Sequence, residues 1–155
     1  MASNAQHTSA NDDLVGRFMT FYIGDALYGI ELLYVKEIVS LEQTTVVPSL
    51  PQYILGIMNL RGKVVPLIDV RLKLNQPERP YDDKTCVIIT LIEDMQVGLI
   101  VDSVAEVFSS SDTKKIQPPD PASTGENYIN AIMHMEDKVI LCLDCDKFFA
   151  DDLHY

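Results

Sequence analysis

Lysine and arginine are scarce in this chain. They number 12 among 155 residues, against 23 aspartates and glutamates, for a formal net charge of -11 and a pI near 4.5. Binding to nucleic-acid phosphates needs clustered cations, so that class of partner is disfavoured, and no basic amphipathic run suits an anionic membrane. Long apolar runs are missing too. The longest reach about six residues, far short of the roughly 18 to 20 that span a bilayer. Residues 1–13 are polar, with neither a cationic start nor an apolar centre, so they read as a disordered tail and not as a secretory signal; the chain reads as cytoplasmic.

Catalytic patterns are also lacking. His7, His134 and His154 are scattered, and there is no phosphate-cradling Gly-rich loop, nucleophile elbow or His-Glu-x-x-His. Three cysteines, an odd number, fit reduced thiols better than a disulfide framework. Cys142 and Cys145 form a C-x-x-C, which raises a thiol redox protein as a reading from a different class. Against it, the pair ends an apolar strand pattern instead of opening a helix, and no second Cys or His pair completes a metal site. No metal or cofactor is expected.

What the sequence does contain is short β-type runs. Arg17–Ile23 and Leu27–Ile30 read as strands around Gly24-Asp25, and Glu31–Val39 as a helical turn passing into a strand. Thr44–Val47 reads as a short β-branched strand, and Pro48–Pro51 as the start of a helical turn. In Tyr53–Arg71, two apolar runs flank Arg61-Gly62, a hairpin signature with Gly supplying a positive φ. Pro66 lacks an amide donor, so its strand should have an unpaired side or a bulge there. Asp69 is placed to N-cap a turn over Val70–Leu74. Asn75–Asp83 reads as a Pro-rich loop, Thr85–Ile92, Val97–Val101 and Val104–Phe108 as strands, and Ser109–Glu126 as a surface loop. Tyr128–Met135 and Lys138–Leu143 make a second hairpin, and Asp144–Leu153 a short closing helix.

Sliding the chain on itself exposes a repeat. At an offset of 75, seven of the 17 positions from 53 to 69 are identical: Tyr53, Ile54, Ile57, Met58, Lys63, Val64 and Asp69 meet Tyr128, Ile129, Ile132, Met133, Lys138, Val139 and Asp144. At an offset of 69, Asp25, Gly29, Val35 and Glu37 meet Asp94, Gly98, Val104 and Glu106. Repeats of several short strands imply two similar β-units, each with little room for a core of its own. The offset puts Cys142 and Cys145 in the places of Leu67 and Val70, so they read as core fillers.

Function should lie where the copies differ. Arg61 and Gly62 correspond to Glu136 and Asp137, a reversal of charge at the tip. Glu37, in an otherwise apolar stretch, could meet Arg61 across the sheet; a guanidinium engages a carboxylate through two bonds in a fixed fork. Leu32, Leu33, Val35 and Ile38 exceed what one buried face needs, and beside Arg61 they suit a partner's apolar helix.

Tyr28–Val39, Y-G-I-E-L-L-Y-V-K-E-I-V, and Gly56–Arg71, G-I-M-N-L-R-G-K-V-V-P-L-I-D-V-R, resemble the CheW-like chemotaxis coupling proteins. The resemblance covers about residues 14–153 as one domain. It implies a mainly all-β fold of two SH3-like five-stranded β-barrels packed on a shared hydrophobic core, with short helical turns and a short C-terminal helix, the first barrel at about 14–83 and the second at about 84–150. It implies a non-catalytic scaffold of a two-component system, joining the cytoplasmic tip of a methyl-accepting chemoreceptor to the regulatory domain of the histidine kinase CheA. Such a scaffold works in membrane-anchored receptor arrays, with self-association in rings. Carried over by position, receptor contact falls on Val35, Glu37, Ile38 and Arg61, with Cys86 and Val107 in the groove between barrels. Cys86 departs from the usual aliphatic residue. Kinase contact falls on Thr44, Thr45, Val46, Val47 and Gly56. The same domain also serves non-flagellar chemosensory systems such as surface motility, and the sequence does not separate the two.

Overall fold

The computed structural model describes residues 14–116 and 128–150. The expected tail over 1–13, much of the expected loop over 109–126 and the end of the expected closing helix lie outside the described residues. Among the described residues eleven strands dominate: β1 (Arg17–Ile23), β2 (Ala26–Glu31), β3 (Val35–Ser40), β4 (Ile54–Leu60), β5 (Lys63–Asp69), β6 (Cys86–Ile92), β7 (Met95–Val101), β8 (Ser103–Ser109), β9 (Lys114–Ile116), β10 (Ile129–Met135) and β11 (Lys138–Leu143). Two short helices follow the hairpins, α1 (Val70–Lys73) and α2 (Cys145–Phe149). A 3-10 turn over Leu32–Tyr34 passes into β3, as the mixed periodicity of that stretch implied.

The strands form a five-stranded sheet, β3-β6-β7-β5-β4, and a six-stranded sheet, β8-β1-β2-β11-β10-β9. Each has a parallel pair at its centre, β5 with β7 and β11 with β2. The repeat is therefore real, yet the units are not consecutive halves divided near residue 83. One compact unit takes Phe21–Asp25 and Val35–Val104, and the other takes the rest. The N-terminal hairpin β1–β2 takes in the six-stranded sheet the places that β6–β7 take in the five-stranded one. A parallel partner cannot be reached by a tight turn, so each unit recruits it from elsewhere in the chain.

In the first unit the sheet curls until its edges meet. β3 and β4 are opposite edges, yet Thr45, five residues past the end of β3, pairs with Ile57 of β4. Both bonds, Thr45 N–H to Ile57 O and Ile57 N–H to Thr45 O, are 2.9 Å. Closure of this kind removes the open edges that a short-stranded sheet would otherwise present. Ile57 thus spends both backbone groups on Thr45, leaving Pro66, its partner across β5, in a pair that asks for no donor. On the other side of β5, pairing with β7 begins only at Leu67, so the missing amide is tolerated there too. The second unit closes in the same way. β9 begins five residues past β8 and pairs with β10 at Ile132, the counterpart of Ile57. This sixth strand lies where a surface loop was expected.

Burial follows the repeat. Met58, Val65 and Leu67 are core residues of the first unit, and their counterparts Met133, Ile140 and Cys142 are buried in the second. Asp69 N–H donates to Tyr53 O at 2.7 Å and Asp144 N–H to Tyr128 O at 2.6 Å, the same bond made by the same residue pair twice. Each Asp then caps its helix, Asp69 accepting from Leu72 N–H and Asp144 from Lys147 N–H. Two local expectations fail. Thr44–Val47 contributes one bridging residue and no strand, and Pro48–Pro51 forms turns, with Ser49 at φ 69°, and no helix. Prolines at both ends withhold the amides a helix or ladder would use.

Candidate partner-binding site

The tip of the β4–β5 hairpin is built by its turn residues. Arg61 at φ 51° and Gly62 at φ 85° both lie in the left-handed region, the geometry whose twist matches two paired strands. Gly62 adopts it freely, whereas Arg61 does so at a cost of about 1 kcal/mol. Asn59 accepts the Gly62 N–H on Oδ1 at 2.9 Å.

From that tip the Arg61 guanidinium meets Glu37 on β3, the opposite edge of the sheet. Nη1 donates to Oε2 at 2.8 Å and Nη2 to Oε1 at 2.7 Å, the expected fork. The arginine side chain is 69% exposed and the glutamate 24%. The hydrogen bond from Arg61 holds the Glu37 carboxyl below its ordinary pKa, and Glu37 in turn raises that of Arg61. Both are charged at neutral pH. An ion pair this open to water adds little to stability, so its physical effect is to fix where two charged groups stand.

The other residues assigned to receptor contact divide by face. Register shifts between Val35 and Glu37, so Val35 opposes Thr90 while Glu37 opposes Ile89. Ile89 faces the core. Directly opposed residues share a face, so Glu37 lies on the core side at the edge of the barrel. Val35, Ile38 and Cys86 lie on the other face, opposed to Thr90, Ile88 and Ser40. Ile38 is exposed and Val35 and Cys86 half-buried. The bulge therefore gathers the apolar residues and turns Glu37 away to its arginine. Val107 is exposed on β8, in the other unit. Burial pushes the Cys86 thiol up.

Of the residues assigned to kinase contact, Thr45 and Gly56 come together. A Cβ on Gly56, at φ 152°, would collide with the Thr45 carbonyl oxygen, so the crossing that closes the barrel requires glycine there. Thr45 and Val46 are exposed, Thr44 and Val47 half-buried, and Gly56 buried.

The C-x-x-C is not placed as expected. Cys145 opens α2, behind the Asp144 cap, so the premise that the motif opens no helix fails. The conclusion rests instead on burial. Cys142 and Cys145 are 1% and 4% exposed, and burial, then Glu31, Asp144 and Asp146, push the Cys145 thiol well up, opposite to what a reactive thiolate needs.

Two features were missed in the sequence. Asn59 is one; its signal was an amide three residues before a turn glycine, replaced by His134 in the other copy. The second is the anchoring of the Pro-rich loop. Asp102 accepts from Gly24 N–H at 2.7 Å, from Arg71 and from Arg79 at 3.0 Å, and the Tyr81 hydroxyl donates to the buried Asp69 at 2.8 Å. Among the described residues no group of His, Cys, Asp and Glu could hold a metal ion, and no helix is long and apolar enough to cross a membrane.

The chain is similar to known proteins in both sequence and fold. A family model described as a CheW-like domain matches residues 17–153. The chain is 33% identical to the chemotaxis protein CheW of Klebsiella aerogenes, over 98% of this chain and 93% of that one. It is 31% identical to the chemotaxis protein CheW of Treponema pallidum, over 86% and 82%. Among solved structures, the scaffolding protein TtCheW from Thermoanaerobacter tengcongensis superposes with a TM-score of 0.76 at 31% identity, covering 86% of this chain and 87% of that one.

Proposed function

This chain belongs to the CheW-like family, and from that membership we propose that it is a non-catalytic adaptor holding a chemoreceptor's cytoplasmic tip to the histidine kinase CheA. The receptor tip, a helical hairpin, docks on Arg61 and Glu37 with Val35, Ile38 and Cys86 of the same unit, and Val107 is a further receptor contact on the other unit. The kinase regulatory domain docks on Thr44–Val47 where they cross Gly56. Coupling needs no chemistry from the adaptor. If two receptor states contact it with different energies, that difference biases the kinase held to the same scaffold.

The observation that carries this reading is the two-bond fork between Arg61 and Glu37 at an exposed tip, where a structural role would contribute little. Binding of Arg61→Ala to a receptor tip and to the kinase regulatory domain, measured separately, tests it. Receptor binding should weaken by about tenfold or more while kinase binding stays; unchanged receptor binding removes Arg61 from the site. The fork also sets a pH dependence. Its Glu37 carboxyl titrates below the ordinary value, so the pair persists as pH falls through about 4.3 and opens only below that.

A further inference from the structure

One side chain at the hairpin tip points at the turn itself and not outward. Asn59, next to last in β4, gives its carboxamide oxygen to the Gly62 N–H at 2.9 Å. That amide belongs to the second central residue of the turn, one position past Arg61. Both central residues have positive φ, a conformation that a non-glycine residue disfavours and that an extra bond to the turn holds.

The second hairpin supplies a comparison within the same chain. There His134 stands in the place of Asn59 and has no carboxamide oxygen, Asp137 replaces Gly62, and only Glu136 of the two central residues has positive φ. Asn59, the doubly left-handed turn and the arginine fork thus occur together in one copy and are all absent from the other.

We infer that Asn59 is a positioning residue for Arg61: its oxygen fixes the turn in the geometry that delivers the guanidinium to Glu37, and so to the receptor tip. The last step rests on the proposed receptor contact of Arg61, while the first is measurable on the free protein. Asn59 is exposed, so its replacement should leave the fold and its unfolding midpoint in place.

The test follows Gly62 amide exchange and the Glu37 carboxyl titration by NMR in Asn59→Ala and Asn59→Asp, with receptor-tip binding measured beside Arg61→Ala. In Asn59→Ala the Gly62 amide should exchange at least about tenfold faster, Glu37 should titrate closer to its ordinary value, and receptor binding should fall part of the way to that of Arg61→Ala. Asn59→Asp keeps the acceptor oxygen and should restore all three. Unchanged exchange and titration in Asn59→Ala overturn the positioning role. If Arg61→Ala binds the receptor tip as tightly as wild type, the receptor assignment fails by itself, and the two NMR readouts still decide whether Asn59 sets the turn.

Discussion

The hairpins β4–β5 and β10–β11 are two uses of one frame. Both place a Tyr carbonyl on an Asp amide, bury a methionine in the first strand, and end on an Asp that caps a short helix. They differ at the tip, where Arg61-Gly62 faces Glu37 and Glu136-Asp137 carries the opposite charge. They differ again where the closing segment crosses. Gly56 admits the Thr45 carbonyl at one, whereas Ala131 takes its place in the second copy, where β9 pairs with Ile132, Met133 and His134. Buried positions are constrained by packing and stay alike. An exposed turn contributes little to the core, so its charge and geometry are free to diverge toward a partner.

Exchanging residues between the copies should expose that division, most strongly at the crossing. Gly56→Ala, which installs the residue of the second copy, should cost about 3 kcal/mol in urea unfolding, because a Cβ meets backbone at a strained φ. Ala131→Gly should cost only about 1 kcal/mol. Equal costs would mean that the two crossings are alike. The caps should separate by less. Asp69→Ala also strands the Tyr81 hydroxyl and should cost about 2 kcal/mol, against about 1 kcal/mol for Asp144→Ala.

The smallest effect concerns the thiols that replace Leu67 and Val70 in the second copy. Cys142 and Cys145 should react with a thiol reagent only as fast as the protein unfolds, and Cys86 faster. Since burial raises the Cys145 pKa, the folded chain holds a neutral thiol where the unfolded chain forms thiolate. That contribution is whole below the unfolded value of about 8.5 and fades above it, so the unfolding midpoint should drop by a small amount above about pH 9. Labelling of both cysteines in the native state would revive the redox reading.

Much of this was legible in the residues. The repeat named Met58 and Leu67 with their counterparts as one frame, although Val64 and Val139, which it also paired, are exposed, and the charge reversal singled out Arg61 and led to Glu37. Local chemistry sufficed, since turn glycines, caps and alternation act within a few residues. The unit boundaries were not legible. Which strand a parallel edge recruits is decided by packing across the whole chain, so β1–β2 leaves no local mark of joining β11. Nor did Gly56 announce the Thr45 crossing, or Cys145 the helix it opens, because both depend on segments met only in the folded state.

The most direct test gives the first hairpin the tip of the second, Arg61→Glu with Gly62→Asp, and measures receptor-tip and kinase binding together with the unfolding midpoint. A folded protein that keeps kinase binding and loses receptor-tip binding is the expected result. Receptor-tip binding that survives the exchange would contradict the assignment of function to the tip.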